Sequence, residues 1–156
     1  MTQFSDDKKF TVAIGCDPNA AALKEIIKRQ LKDLGYEVKD FGSEDPIYAR
    51  AAFDVGEAVA AKKYDRGILL CGTGIGMSIA ANKVPGVFAA LCADTYSAER
   101  AIKSNNANVL CIGAFTTGTE VAKQIVKTWM EAKWQTGTSS EPKVACYVDY
   151  AKKHQL

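Results

Sequence analysis

Apolar and polar residues alternate along the chain with two different periods. Short runs of β-branched and apolar residues, typical of buried strands, alternate with longer stretches in which apolar residues recur every three or four positions, as in amphipathic helices. The short runs predict strands at residues 10–16, 36–42, 66–71, 86–92 and 107–113. The longer stretches predict helices at residues 21–35, 48–63, 77–83, 95–105, 119–134 and 144–153.

The order of these elements predicts the fold class. Apolar strands that alternate with helices are typical of a parallel sheet covered on both faces, so the class is doubly wound α/β. The length of 156 residues fits one domain, with residues 1–9 as an N-terminal extension and residues 135–156 as a linker and a C-terminal helix. Ligands of such sheets bind beyond the carboxyl ends of the strands, where the strand order reverses. The turns to inspect follow Cys16, Cys71, Cys92 and Gly113.

Composition and charge exclude several classes of function. Hydrophobic residues make up 47% of the chain and the formal net charge is +2, values of a globular domain without the basic excess that nucleic acid requires. The longest apolar run without a charge, residues 67–81, is too short to cross a bilayer, so no membrane partner is expected. The N-terminus is acidic where a signal peptide is cationic, which predicts a cytoplasmic protein.

Cysteine and histidine content narrows the chemistry further. The five cysteines include no CxxC pair, so reduced thiols are expected and neither a disulfide framework nor a zinc site fits. The only histidine, His154, stands two residues from the end, which removes most Cys–His nucleophile pairs. We expect the other four cysteines to be buried and to pack as small apolar side chains; they are Cys16, Cys92, Cys111 and Cys146.

The strongest local signal is the segment CGTGIG at residues 71–76, between a strand and a helix. Alternating glycines let N–H groups converge, and the helix N-terminus adds partial positive charge, so the loop is either an anion site or only a tight turn. Cys71 at its mouth is either a base or nucleophile, or a small buried apolar residue. Acyl transfer needs a histidine partner, whereas proton abstraction beside a carbonyl needs only a base and donors for an enediolate, which this loop offers.

Two polar residues beside strands are further candidates. Asp17 follows the first strand and Asn105 precedes the fifth, and both are expected to face one crevice, where a carboxylate and an amide suit sugar hydroxyls. Each has a structural alternative, since Asp17 can cap the first helix and Asn105 can occupy a left-handed turn. The residues alone leave these alternatives open.

Three motifs together resemble a known family. The segment CGTGIGMSIAANKVPGVFAALC, with GCD after the first strand and NNANVLCIGAFTTG at the fifth, is similar to the ribose-5-phosphate isomerase type B and galactose-6-phosphate isomerase family. The resemblance implies a five-stranded Rossmann-like sheet and a homodimer or homotetramer with shared active sites and an exchanged C-terminal helix. The implied reaction is aldose–ketose isomerisation of a sugar phosphate, of the ribose 5-phosphate type, through an enediolate and without metal or organic cofactor.

The resemblance also implies roles for individual residues. Cys71 matches the base that moves the proton between the first two carbons, and Thr73 matches the hydroxyl residue beside it. The residues whose loop is implied to hold the enediolate are Gly72, Gly74, Ile75 and Gly76. Those implied to contact the substrate elsewhere are Asp17, Tyr48 and Asn105.

The chain departs from this family at histidine and arginine positions. Pro18 stands where the family has a histidine associated with phosphate binding, and Ser104 stands where it has the histidine credited with opening the sugar ring. Phe115 replaces an arginine after the fifth strand, and the arginine-rich segment after the long helix has become GTSSEPK. The cations expected to bind phosphate in their place are, in order, Lys143, Lys103 and Arg100.

Two explanations of these departures remain open. In the first, the substrate is an open-chain tetrose phosphate, such as an erythrulose phosphate, which needs no ring-opening acid. In the second, the chain is one subunit of a hetero-oligomer in which a paralogous chain supplies the missing side chains. A silent binding subunit is a third class, which the intact loop at Cys71 disfavours. The stretch after Pro142 is expected to pack on another subunit, because it lies far past the last strand.

Overall fold

The computed structural model describes residues 10–156, so the predicted extension at residues 1–9 lies outside the described part. The strands are β1 (Thr11–Cys16), β2 (Glu37–Asp40), β3 (Arg66–Cys71), β4 (Ala89–Leu91) and β5 (Val109–Gly113). They form one parallel sheet in the order β2-β1-β3-β5-β4. The predicted fold class, a doubly wound, Rossmann-like α/β sheet of five parallel strands, is confirmed.

Helices connect the strands and follow the last one. They are α1 (Ala21–Asp33), α2 (Tyr48–Ala60), α3 (Ile75–Ala81), α4 (Thr95–Lys103), α5 (Thr119–Glu131) and α6 (Glu141–His154). Helix α3 begins two residues earlier than predicted, because the left-handed Gly74 turns the chain directly from strand to helix. Helix α6 begins inside the predicted linker, with Pro142 in its first turn, where the fixed φ of proline suits a helix start. None of the helices in the described part has the length and apolar character of a membrane span.

Two apolar layers cover the sheet, because successive side chains of a strand point to opposite faces. Ile68 and Leu70 of β3 point into the layer that contains residues of α1, α4 and α5. Leu69 and Cys71 point into the other layer, with residues of α2 and α3. This alternation places the Cys71 side chain on the face covered by the short helix that its own loop begins.

The strand order reverses between β1 and β3, since the chain runs from β1 outward to β2 and then returns to β3 on the other side. The last residues of the two strands are Cys16 and Cys71. The Asp17 N–H joins the two ends by donating a hydrogen bond to the main-chain oxygen of Leu70 at 3.3 Å. This edge of the sheet is the position at which doubly wound proteins bind their ligands.

A cluster of charges holds the end of β2 against α1, close to the same edge. The ammonium groups of Lys24 and Lys28 each lie 2.8 Å from a carboxylate oxygen of Asp40, and Lys24 is buried. Burial opposes ionisation of Asp40, but hydrogen bonds from the two lysines and from the Gly42 N–H hold the pKa of its carboxyl at about 2.

Asp40→Asn is expected to lower the free energy of unfolding at pH 7 by about 2–3 kcal/mol, because it removes the nearest counter-charge of the buried Lys24 ammonium and leaves only the exposed Glu25 carboxylate at 4.0 Å. The folded-state pKa of Asp40 is depressed, so its stabilisation is complete above the ordinary value of 3.8 and is lost as the pH falls towards about 2. Urea denaturation at several pH values tests this. If the difference in unfolding free energy between the wild type and Asp40→Asn does not shrink below pH 4, the prediction is wrong. The control is Glu25→Gln at an exposed position, which should lower the free energy of unfolding by less than about 1 kcal/mol.

Although it lies far past the last strand, the C-terminal helix α6 also has contacts within its own subunit. Val144 is buried, and the ring of Tyr147 packs on that of Phe88 with centroids 5.3 Å apart. The Tyr147 hydroxyl also donates a hydrogen bond to the main-chain oxygen of Asn105. Packing of α6 on another subunit stays a prediction, for which the exposed Tyr150 offers apolar surface.

Candidate active site

The thiol of Cys71 lies at the carboxyl end of β3, at the mouth of the glycine loop. Its Sγ accepts a hydrogen bond from the Gly74 N–H at 3.1 Å, an interaction that a negatively charged sulfur makes more strongly than a neutral one. The residue is 5% exposed. The thiol is therefore held by its own loop and meets the crevice through a small surface.

Glycine is required at two positions where this loop meets β5. Gly74 has a φ of +77°, and a Cβ there would lie 2.6 Å from Leu91 Cδ1 and 2.9 Å from the main-chain carbon of Ile112. A Cβ at Gly113 would lie 2.6 Å from the carbonyl group of Thr73. Because neither position tolerates a side chain without movement of the backbone, the two glycines set the close approach that aims the Gly74 N–H at the sulfur.

The segment after β5 is bonded to the same loop. The N–H groups of Ala114 and Phe115 donate to the main-chain oxygens of Cys71 and Gly72 at 2.8 Å and 2.9 Å. The Phe115 ring lies over Gly72, with Cδ2 and Cε2 at 3.0 Å and 3.1 Å from the point that a Cβ of residue 72 would occupy. Sequence analysis marked Phe115 only as a departure from a family pattern and missed this contact.

Thr73 forms the solvent side of the loop. Its side chain is exposed, and Oγ1 accepts a hydrogen bond from the Ile75 N–H at 3.3 Å, which leaves its own hydroxyl proton available to donate. The amides of Gly74 and Ile75 thus both donate inside the loop, to the sulfur and to the hydroxyl oxygen. In this geometry they hold the two side chains that the sequence identified as catalytic.

Tyr48, the first residue of α2, packs against the first turn of α3. A Cβ at Gly76 would lie 2.5 Å from Cε2 and Cζ of Tyr48 and 2.8 Å from its hydroxyl oxygen. The missing side chain at Gly76 therefore lets the phenol lie directly beside the loop. Among residues 10–156 the N–H group of the partly exposed Gly76 has no hydrogen-bond acceptor, so it remains available to a ligand oxygen.

Asp17 lies at the same edge of the sheet, one strand away from Cys71. Its buried carboxylate accepts hydrogen bonds from the N–H and the side-chain amide of Asn19, at 3.0 Å and 3.3 Å. The helix-capping alternative therefore describes what the carboxylate does in this structure, where it caps the turn Pro18–Ala20. A substrate contact by Asp17 stays a prediction, supported by its position next to the loop.

Asn105 lies at the opposite edge of the sheet, so the expectation that it shares a crevice with Asp17 inside one subunit is wrong. It follows α4 and precedes β5, whose amino end is remote from the carboxyl ends where Cys71 lies. Its side-chain amide donates to the main-chain oxygen of Arg100 at 3.0 Å. The left-handed residue of this turn is its neighbour Asn106, with a φ of +48°.

Lys143 lies on α6, the helix that contacts Asn105 through Tyr147. It precedes Tyr147 by one helical turn on α6, so the two side chains project from the same face, and Tyr147 is bonded to Asn105. We call these three residues the amino-edge cluster. Asn105 and Tyr147 help to line a cavity of about 280 Å³.

The other cations expected to bind phosphate are already paired. Arg100 and Lys103 both contact the carboxylate of Glu99, at 2.8 Å and 3.3 Å. Within residues 10–156, Lys143 makes no ion pair, so it stays the first candidate of the three. Tyr147 was not predicted as a site residue. The sequence signal that could have indicated it is its position four residues after Lys143, on the same face of the helix.

The remaining thiols do not resemble bases. Burial raises the pKa of Cys16 to about 12 and that of Cys92 to about 11, and it raises the pKa of Cys111 as well. All three are buried, as predicted, whereas Cys146 is exposed on α6, so that prediction was wrong. In the described part of the chain, no three His, Cys, Asp or Glu side chains converge where they could hold a metal ion.

A family model described as Ribose/Galactose Isomerase matches residues 12–146, which include every candidate site residue. The chain belongs to this family. Among its relatives, the D-erythrulose-4-phosphate isomerase of Pectobacterium atrosepticum is 47% identical over 93% of this chain and 99% of that protein. The ribose-5-P isomerase B of Listeria innocua is 44% identical over 82% of this chain and 88% of that protein.

A solved structure supports the same assignment of the fold. The ribose-5-phosphate isomerase B of Clostridium thermocellum superimposes with a TM-score of 0.87 at 41% identity, covering 92% of this chain and 99% of that one. Membership of the ribose/galactose isomerase family confirms the resemblance that the motifs carried.

Proposed function

We propose that this chain is an aldose–ketose isomerase of an open-chain tetrose phosphate, interconverting erythrulose 4-phosphate and erythrose 4-phosphate. Family membership carries the coarser statement, that it is a sugar-phosphate isomerase. The finer statement rests on the residues present and is supported by the relative that is named for erythrulose 4-phosphate and is 47% identical.

The observation that carries the proposal is the absence of an imidazole near the loop. His154, the only histidine of the chain, lies at the end of α6 and stacks on Tyr150 with ring centroids 4.3 Å apart. It stands eleven positions after Lys143 on α6, which corresponds to ~16 Å along the helix axis. A furanose must be opened by a general acid before its carbonyl can react. A four-carbon sugar with a phosphorylated terminal hydroxyl cannot close that ring, so it does not need the acid.

The isomerisation itself is one proton moved between neighbouring carbons. Cys71, as thiolate, removes a proton from C1 of the ketose, and the electron pair forms the C1–C2 double bond while the C2 oxygen becomes the enediolate oxygen. The thiol then returns the proton to C2, and the hydroxyl proton on O1 moves to O2 as the C1 carbonyl forms. Nothing is oxidised or reduced overall.

Donors for the enediolate come from the same loop. The Thr73 hydroxyl has its proton free, and the N–H group of the partly exposed Gly76 has no acceptor among residues 10–156. Hydrogen bonds that are already oriented before charge develops stabilise the transition state most. The Gly74 N–H holds the sulfur and is the donor that faces the thiolate form of the base.

The amino-edge cluster is proposed to act in a second subunit. Asn105 and Lys143 lie at the edge of the sheet opposite to Cys71, so they reach the loop only if another subunit presents them. We therefore expect a homodimer or homotetramer in which Lys143 of one subunit holds the phosphate of a substrate bound at Cys71 of the next. This arrangement explains why the family motifs are split between the two ends of one protomer.

Steady-state kinetics of the purified chain test the proposed function. We expect kcat/KM for erythrulose 4-phosphate to exceed that for ribose 5-phosphate by about 100-fold or more, the usual contribution of a general acid. Equal values for the two substrates would contradict the tetrose assignment and favour ribose 5-phosphate. A chain that is inactive on every sugar phosphate until a second polypeptide is added would instead support the hetero-oligomer.

A further inference from the structure

We propose that Phe115 determines the length of sugar phosphate that the site accepts, an inference that rests on the proposed function. The ring stands beside the residue that follows the base, in contact with Gly72. It has no hydrogen-bonding group, so its influence on a substrate is through bulk and apolar contact. It is therefore a wall of the site and takes no part in the proton transfer.

Two hydrogen bonds fix this wall in place. The Phe115 N–H donates to the Gly72 oxygen at 2.9 Å, and the preceding Ala114 N–H donates to the Cys71 oxygen at 2.8 Å. The backbone that carries the ring is thus bonded to the backbone that carries the thiol. These bonds fix the position of the backbone from which the ring projects towards Gly72.

The ring fills space that the loop leaves open. Gly72 has no side chain, and two ring carbons come within 3.0 Å and 3.1 Å of the point where a Cβ would stand. Yet the residue is 72% exposed, so its second face is not covered by its own subunit. The edge of the ring contacts the catalytic loop and most of its remaining surface is uncovered, so the ring is placed to contact a bound substrate.

The opposite rim of the loop is apolar too. Because β3 lies between β1 and β5, the loop at Gly72 lies between the turn after Cys16 and the segment after Gly113. Pro18, exposed, occupies the first of these and Phe115 the second. Two rings without charge therefore flank the position next to the base. A fifth carbon with its hydroxyl would meet one of these two rings, neither of which can hydrogen-bond to it.

The test compares two ketose phosphates that are both acyclic, erythrulose 4-phosphate and ribulose 5-phosphate, which differ by one CHOH unit. The wild-type chain is expected to prefer the shorter. Phe115→Ala should reduce that preference about tenfold, the usual effect of one carbon unit in an apolar pocket, and Phe115→Leu should lie between. The matched control is Tyr96→Ala, which removes an equally exposed ring (73%) on α4 and should leave the ratio unchanged.

Each outcome is decisive. If the ratio in Phe115→Ala equals that of the wild type while its thermal midpoint is also unchanged, Phe115 does not set the length. If Tyr96→Ala shifts the ratio as much, the effect is not local and the inference is also wrong. Failure of the proposed function looks different, because it appears in the wild type as fast turnover of cyclic ribose 5-phosphate, whatever the Phe115 variants do.

Discussion

Cys71→Ser is expected to lower kcat by about 1,000-fold on the preferred substrate, with little change in the thermal midpoint. A serine hydroxyl is nearly the size of the thiol and can accept the same hydrogen bond from the Gly74 N–H, so the loop should persist. The alcohol is, however, a far weaker base than a thiolate near neutral pH, and a general base contributes about 100- to 10,000-fold. Coupled assays of ketose consumption measure the loss directly.

Retention of more than about one tenth of wild-type kcat, a barrier rise below ~1.4 kcal/mol, would show that another group is the base. A second readout follows the proton transfer itself. In deuterated water the wild type should incorporate deuterium at C1 and C2, because the sulfur-bound proton exchanges with solvent, and the serine variant should not. Cys146→Ser is the matched control, since that thiol is exposed on α6 and belongs neither to the loop nor to the amino-edge cluster, and it should retain full activity.

The strand that carries Cys71 was well predicted from the sequence, whereas the start of the C-terminal helix was not. The strand Arg66–Cys71 was predicted with its observed bounds, because a continuous apolar run between a charged turn and a glycine loop has one natural reading as a buried strand. The start of α6 was missed, because the polar residues before Pro142 have the composition of a linker. Proline in a first turn also indicates the start of a helix, but the prediction gave more weight to the polar composition of the segment.

The candidate site was predictable only where its residues are contiguous in sequence. Residues 71–76 form one turn, so their proximity follows from the strand–loop–helix pattern alone. Asn105 was misplaced although topology alone determines its edge: a residue before a parallel strand lies at the amino end, and one after a strand lies at the carboxyl end. The contact between Tyr147 and Asn105 spans 42 residues and has no local signature, and neither has the packing of Phe115 on Gly72.

The division of the site residues between two edges predicts that two inactive variants restore each other. Cys71→Ala lacks the base, and Asn105→Ala lacks a substrate contact that we expect to be worth about 100-fold. The second change is mild for the fold, since the Asn105 side chain is exposed and donates only to the Arg100 oxygen. If the active site combines Cys71 of one subunit with Asn105 of another, a mixed dimer of the two variants contains one site with both residues intact.

Co-refolding equal amounts of the two variants should then recover about one quarter of wild-type activity, because half of the dimers are mixed and each mixed dimer has one intact site of two. The control is a mixture in which one chain carries both substitutions and the other carries neither. The double variant C71A/N105A, co-refolded with an equal amount of wild type, should leave about one quarter of full activity, since every mixed dimer would lack one residue at each site. A site completed within each subunit predicts the reverse, almost no recovery in the first mixture and about one half in the second. Because both mixtures contain the same substitutions in equal number, differences in folding or in intrinsic activity cannot imitate the shared-site pattern.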